Sequence, residues 1–276
     1  MSPAEWERLL LSATELVWKK VAPLAERPGR GRTVGTGAAG DRTIVADKLA
    51  EDILVRALTK VGGVGVLSEE AGGVGREDGG VLAVVDPIDG SSNFERGIPF
   101  YCTSVAIVDG GSIDDTVAGV VRDLFTGDVY AARRGKGATK NGRRIRTSAK
   151  VDPSEAVVGV DFSRSPPGMV SALEPLVHGV KRQVHLGANA LELCYMAEGK
   201  TDAFVDLRGR MRVTDFAAAN LIAREAGAEV TDGEGRELDV RLDLEHRFSF
   251  VASANAEFHR KVLALCGPAR AGVAPG

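Results

Sequence analysis

The chain is poor in the residues that mark several large classes of protein. Of 276 residues only three are Cys (Cys102, Cys194 and Cys266) and four are His (His178, His185, His246 and His259). The cysteines are isolated, without CxxC spacing. This excludes a disulfide scaffold and fits a reducing, cytoplasmic setting. The histidines lack zinc spacing. Neither sign of charge dominates: 35 Lys+Arg against 38 Asp+Glu leave a net charge of −3. Such a balance gives no overall pull toward nucleic acid or an anionic membrane. No apolar run approaches the ~18 residues of a membrane span. The opening MSPAEWER lacks the basic-then-apolar order of a signal peptide. Aromatic residues are only 5%, but the apolar share is 44%, enough for a real core at this length. Glycine is abundant at 34 residues. Those glycines are either slack linkers or places where the backbone must come close to something.

The apolar pattern divides the chain near residue 150. Ser2 and Glu5 make a capping-box pattern around Pro3, and Trp6, Leu9, Leu10, Ala13, Leu16 and Val17 recur at helical spacing. A polar, Gly-rich stretch over 28–41 follows, then a predicted helix over about 43–61 closed by Gly62-Gly63. Strands are expected at 64–67, 81–85, 103–108, 116–121 and 128–132. Lys140-Asn141-Gly142-Arg143 reads as a hairpin turn. Beyond Pro153 strands and helices alternate: strands at 157–160, 203–206, 229–231 and 248–252, helices at 169–177, 188–198, 215–225 and 256–265. The expectation is an α/β chain: an α+β half over 1–150, an α/β half over 151–266, and a flexible tail over 267–276.

Three acidic clusters fall at strand ends or helix starts: Glu69-Glu70, Asp86-Pro87-Ile88-Asp89, and Asp215. Alone, Glu69-Glu70 suits a solvated turn, and Asp215 suits an N-cap that bonds free backbone N–H groups. Asp86 and Asp89 are harder to dismiss. An Asp directly after the apolar run VLAVV is partly buried and needs a partner. Asp-x-x-Asp across a Pro-bearing turn can aim both carboxylates and the Ile88 carbonyl at one place, a donor set that suits Mg²⁺. Gly90-Ser91-Ser92 follows at once. A helix beginning there would offer backbone N–H groups to an anion, with Gly90 permitting close approach. A metal site and a phosphate site side by side are what metal-assisted phosphoryl transfer requires.

DPIDGSSNF, with SEE upstream and Asp215 before FAAANLIAREAGA, resembles the inositol monophosphatase / fructose-1,6-bisphosphatase superfamily. TIVADKLAEDIL around Asp47, GKGATKNGRRI, and LGANALELCYMAEGKTDAFVD resemble further segments of that superfamily, so the likeness spans nearly the whole chain. The wording of SEEAG and RVTDFAAA is most similar to its archaeal, dual-specificity branch. The resemblance implies a layered αβαβα sandwich and a lithium-sensitive, Mg²⁺-dependent phosphatase, cytoplasmic and homodimeric, with a place in gluconeogenesis. It implies two or three Mg²⁺ per site. Glu69, Asp86 and the Ile88 carbonyl would hold one, Asp86, Asp89 and Asp215 a second, and Glu69 and Glu70 a weaker third. Gly90, Ser91 and Ser92 would bind phosphate. Asp47, Glu69 and Ser91 are the catalytic candidates, Asp47 facing Ser91, which stands where many members have Thr.

The substrate expected is a small phosphate ester: inositol 1-phosphate, fructose 1,6-bisphosphate, or both. Arg182, Arg208, Arg210 and Arg212 are candidates to grip a second phosphate, and each also suits a solvated strand edge. Asn189 and Asp206 fall where relatives contact substrate hydroxyls. Alternatives are a 3′(2′),5′-bisphosphate nucleotidase on the same metal core and a non-catalytic regulatory protein on the same fold. Gly35-x-Gly37-x-x-Gly40 matches a dinucleotide fingerprint, but polar RPGRGRTV precedes it where a buried strand is needed. The resemblance makes this segment a mobile loop closing over the metals.

Overall fold

The computed structural model describes residues 1–38, 40, 42–75, 80–238 and 240–267, so residues 268–276 of the expected tail lie outside it. Helix α1 (Pro3–Val21) starts on a closed capping box. The Ser2 N–H donates to Glu5 Oε2 at 2.7 Å, and the Glu5 N–H to Ser2 Oγ. Its stripe of Trp6, Leu10, Ala13, Val17 and Val21 is buried. Where the Gly-rich stretch was expected to be a loop, an exposed strand β1 (Thr33–Thr36) pairs in a small hairpin with β2 (Arg42–Ile44), whose Thr43 and Ile44 are buried. Gly35 thus lies inside a strand, and no strand-to-helix turn forms there. Helix α2 (Val45–Thr59) follows directly.

Next come β3 (Val64–Ser68), β4 (Gly72–Val74), β5 (Val81–Asp89), the short helix α3 (Ser91–Arg96), β6 (Cys102–Val108), β7 (Thr116–Asp123), β8 (Val129–Arg133), β9 (Gly137–Lys140) and β10 (Arg143–Arg144). Among the described residues these strands form one eight-stranded sheet, ordered β10-β9-β8-β7-β6-β5-β3-β4. Its only parallel pair is β3 with β5. The ends of those two strands deliver Glu69 and Asp86 to the same edge, because Ser68 pairs with Val85.

The second half supplies β11 (Val157–Val160), α4 (Met169–Ala172), α5 (Glu174–Gly179), β12 (Arg182–Val184), α6 (Asn189–Ala197), β13 (Ala203–Met211), α7 (Val213–Ala226), β14 (Glu229–Thr231), β15 (Phe248–Ser253) and α8 (Ala256–Leu265). Its strands form a five-stranded sheet ordered β12-β11-β13-β15-β14. The single helix expected over 169–177 is broken into α4 and α5. Pro175 stands in the first turn of α5, where its missing N–H costs nothing, whereas inside a continuous helix it would remove a bond.

The layers alternate. Helices α1 and α2 cover one face of the large sheet with Leu10, Val17, Leu54 and Leu58. Helices α6 and α7 lie between the two sheets in one continuous core that takes Leu82, Val121 and Tyr130 from the first half and Phe204, Phe216 and Phe250 from the second. Helices α4, α5 and α8 cover the far face of the small sheet with Met169, Leu176, Phe258 and Val262. This is the αβαβα sandwich. Small residues set the spacing of the middle layer: a Cβ on Gly119 of β7 would lie 3.0 Å from the Ala218 backbone of α7.

Candidate active site

The strand β5 does not stop at Val85. It runs through Asp86-Pro87-Ile88-Asp89, paired with β6 at Asp86↔Ser104 and Asp89↔Cys102. Three steps on β5 therefore face two on β6, which is a one-residue bulge. In a regular strand, residues three apart point to opposite faces. The extra residue restores the phase, so Asp86 and Asp89 share a face. Pro87, which cannot donate to a ladder, sits where the ladder is interrupted.

Asp215 comes from the other side. It is the third residue of α7, with Arg212 at the N-cap, so it is not the cap that its position suggested. One carboxylate oxygen each from Glu69, Asp86 and Asp215 lie within 4.8 Å of one another. Asp86 and Asp89 are buried. Asp89 Oδ2 accepts from the Ala190 N–H at 2.7 Å, and Thr214 Oγ1 donates to Asp215 Oδ1 at 2.9 Å. Burial pushes Asp86 well above the usual carboxylate range, and Glu69, Asp215 and Asp89 raise it further. Burial also raises Asp89, followed by Asp215. It raises Asp215 too, against the opposing pull of Arg212. Guanidinium charge reaches the cluster as well: Arg212 pairs with Glu69, and Arg212 and Arg247 both pull the Asp215 pKa down.

The residues fit a hard divalent cation. Crowded buried carboxylates pay for desolvation and mutual repulsion, and a bound cation relieves both. A second observation agrees. Asn189 Oδ1 is buried without a hydrogen-bond partner, while its Nδ2 points to Asp215 Oδ2 at 3.4 Å. A buried acceptor left unmatched next to an acidic cluster is a place for a cation or a ligand hydroxyl.

The phosphate-side turn abuts this cluster. Gly90 has φ +88°, and a Cβ there would meet Ala188 Cβ at 3.0 Å and the Phe100 carbonyl at 3.1 Å, so both conformation and space demand glycine. Helix α3 begins at Ser91. Ser91 Oγ lies 2.8 Å from the Ile88 carbonyl and 3.1 Å from Asp47 Oδ1. Asp47 is buried in the first turn of α2, where its Oδ2 accepts the Ile44 N–H at 2.8 Å. Burial raises its pKa to about 7, with Glu70 adding to the rise. Glu70 does not join the three-carboxylate cluster. It is bonded by the Thr43 hydroxyl, and Gly37 of the hairpin lies so close that a Cβ would sit 2.5 Å from Glu70 Oε2.

A cleft of about 520 Å³ opens beside the turn, bounded by Ser92, Asn93, Gly187 and Asn189 on one side and Asp161, Ser163 and His185 on the other. The last three were missed in the sequence. Asp161 carries the signal that exposed Asp86, an acid directly after an apolar strand, but no motif marks it. His185 lies between two carboxylates, with Nε2 3.3 Å from Asp161 and Nδ1 3.1 Å from Glu192. Burial works to lower its pKa, but Glu192 and Asp161 outweigh that and raise it.

The remaining substrate candidates are placed differently from one another. Asp206 is fully buried and is held by Arg208, Nε to Oδ1 at 2.8 Å and Nη2 to Oδ2 at 2.6 Å. Arg208 also pairs with Asp161 at 2.5 Å, so its guanidinium is engaged by two carboxylates. Arg210 is exposed. Arg212 is on Glu69. Arg182 opens β12 opposite Val157, at the end of the parallel pair away from Asp161, so strand direction removes it from the cleft.

A sandwich of this layering, with carboxylates from both halves converging beside a Gly-Ser turn, defines a metal-dependent phosphoester-processing class. The chain belongs to the inositol monophosphatase family, whose model matches residues 5–267 and whose members depend on metal. It is similar to the fructose-1,6-bisphosphatase/inositol-1-monophosphatase of Thermococcus kodakarensis, 38% identical over 94% of this chain and 96% of that protein. It is 35% identical to the protein of the same description from Methanothermobacter thermautotrophicus, over 94% of this chain and 95% of the relative. A solved inositol monophosphatase–fructose 1,6 bisphosphatase superposes with a TM-score of 0.85 at 33% identity, covering 94% and 99% of the two chains.

Proposed function

We propose that this chain is a Mg²⁺-dependent phosphoric monoester hydrolase acting on small sugar and cyclitol phosphates, inositol 1-phosphate and fructose 1,6-bisphosphate among them. The observation that carries the reading is the bulged end of β5, which turns Asp86 and Asp89 to one face beside Glu69 and Asp215, one residue before the Gly90–Ser91 turn. Glu69, Asp86, Asp89, Asp215 and the Ile88 carbonyl would hold the cations, two or three of them, with Glu70 near the third. When bound, Mg²⁺ supplies charge against the phosphate oxygens and acidifies the attacking water.

The chain's own groups do the rest. Gly90, Ser91 and Ser92 receive the phosphate at the start of α3. Ser91 Oγ and Asp47 Oδ1 form a short proton path. A carboxyl with a pKa of about 7 both accepts and returns a proton near neutrality. Asn189 Oδ1 accepts a hydroxyl of the substrate or turns to the cation. The cleft beyond takes the ring, and the protein works in the cytoplasm as a homodimer.

Phosphate release from inositol 1-phosphate, fructose 1,6-bisphosphate and adenosine 3′,5′-bisphosphate, with Mg²⁺ or with chelator, tests the reading. Release from the first two that requires Mg²⁺ is expected. Hydrolysis of the nucleotide alone, or activity indifferent to chelator, contradicts it. Asp89→Asn should lower kcat more than about 100-fold, beyond what loss of an outer partner of a metal ligand causes. Near wild-type kcat at saturating Mg²⁺ would remove Asp89 from the metal site.

A further inference from the structure

The buried carboxylate of Glu51 has no part in the chemistry above, yet it is held where it governs the site. It lies on α2, one helical turn after Asp47, and is 2% exposed. Its Oε1 accepts two hydrogen bonds, from Ser68 Oγ at 2.7 Å and from the Ala71 N–H at 2.6 Å. Its Oε2 lies 3.4 Å from Lys48 Nζ. Ser68 ends β3, and Ala71 directly precedes β4. The residues between them are Glu69 and Glu70. Both ends of the turn that carries these acids are thus pinned to a single oxygen atom.

Burying a carboxylate is costly unless charge-assisted bonds compensate, and an apolar side chain would fill the space more cheaply. A hydroxyl–amide clamp fixes backbone position in a way that apolar packing cannot. Arg212 on Glu69 and the Thr43 hydroxyl on Glu70 engage the two side chains, and the backbone of the turn between β3 and β4 needs its own hold. Helix α2 supplies it and also ties down the phosphate side, since Asp47 bonds Ser91 one turn earlier on the same helix.

We propose that Glu51 is a positioning residue: it fixes the Glu69–Glu70 turn at the distance from the Ser91 turn that divalent-cation binding needs. The proposal rests on the reading of Glu69 as a metal ligand. Outer partners that orient metal ligands change affinity about 10–100-fold when removed. Glu51→Ala should therefore weaken Mg²⁺ binding at least about tenfold, measured by titration calorimetry on the substrate-free protein. Glu51→Gln keeps an acceptor for both donors and should stay within about threefold of wild type. Ser68→Ala removes one of the two bonds and should fall between, which keeps the test open if Glu51→Ala folds poorly. Hydrogen exchange at the Ala71 amide in metal-free protein should accelerate in Glu51→Ala and not in Glu51→Gln. Leu58→Ala, a buried change on the same helix, should lower Tm without moving Mg²⁺ affinity. Wild-type protein that binds no Mg²⁺ would overturn the metal reading and this proposal with it. Wild-type binding matched by Glu51→Ala, or lost in step with Tm in Leu58→Ala, would overturn this proposal alone.

Discussion

Two acidic clusters in this molecule are built to opposite ends. The small sheet brings Asp161 and Asp206 together and ties both to Arg208, which makes paired bonds to Asp206 and a further ion pair with Asp161. The large sheet and α7 bring Glu69, Asp86, Asp89 and Asp215 together, four carboxylates with the Arg212 guanidinium on Glu69 and the charge of Arg247 acting on Asp215. Burial holds Asp86, Asp89 and Asp215 above their ordinary range, and repulsion from neighbouring carboxylates adds to it at Asp86 and Asp89. An acidic cluster whose carboxylates share one guanidinium through direct bonds is a structural joint. One in which buried carboxylates outnumber the built-in cations favours a divalent cation from solution. Composition cannot tell the two apart, because each includes an Asp that follows an apolar run, Asp161 after VVGV and Asp86 after VLAVV.

The comparison can be broken from the small-sheet side first. Arg208→Ala leaves Asp206 and Asp161 buried without their guanidinium. Removing one partner of a buried pair costs about 3–5 kcal/mol, so thermal unfolding should show a large fall in Tm, with activity on mono- and bisphosphate substrates falling together. A selective loss of bisphosphate activity with an unchanged Tm would make Arg208 a substrate residue after all.

The large-sheet cluster is sharpened by pH. A carboxyl whose folded pKa is raised binds more protons in the native than in the unfolded state between the two pKa values. Metal-free stability should then be highest below that window and fall as pH rises through it, from about 4 to about 7 for Asp47. Melting of metal-free protein should give a Tm a few degrees higher at pH 5.5 than at pH 8, about 1 kcal/mol being worth about 2–4 °C at this size. Added Mg²⁺ should raise Tm more at pH 8 than at pH 5.5. A metal-free Tm that rises with pH would contradict the strain assigned to this cluster. The smallest effect belongs to Arg182, at the far end of β12. Arg182→Ala should leave kcat/KM for both substrates within about twofold, and a larger selective loss would show that the edge strand reaches substrate.

Much of this was legible from residues alone. The capping box of α1, the short β-branched runs and the Asn-Gly hairpin are local features, and they fold where local chemistry puts them. Asp86 and Asp89 carried their own signal, whereas Glu69 and Asp215 were marked by the family resemblance. Their geometry was less visible. Pro87 suggests that the strand ends at Val85, but the bulge keeps Asp89 in the ladder. Val213 and Thr214 are weak helix formers, so Asp215 looks like a cap, although α7 begins two residues earlier. The cleft's second wall was hidden for another reason. Arg208 lies two residues after Asp206 and therefore on the same face of β13, which already hints that the pair serves each other. That His185 stands between Asp161 and Glu192 depends on a three-residue strand, β12, whose pairing is set by its neighbours more than by its own residues.

The central claim is that the large-sheet cluster holds a divalent cation against protons. Calorimetric titration of Mg²⁺ into substrate-free protein near pH 6.5, repeated in buffers of different ionisation enthalpy, measures both binding and the protons it displaces. The account predicts saturable binding with net proton release, both lost in Asp86→Asn. Binding without proton release, or unchanged affinity in Asp86→Asn, would contradict it.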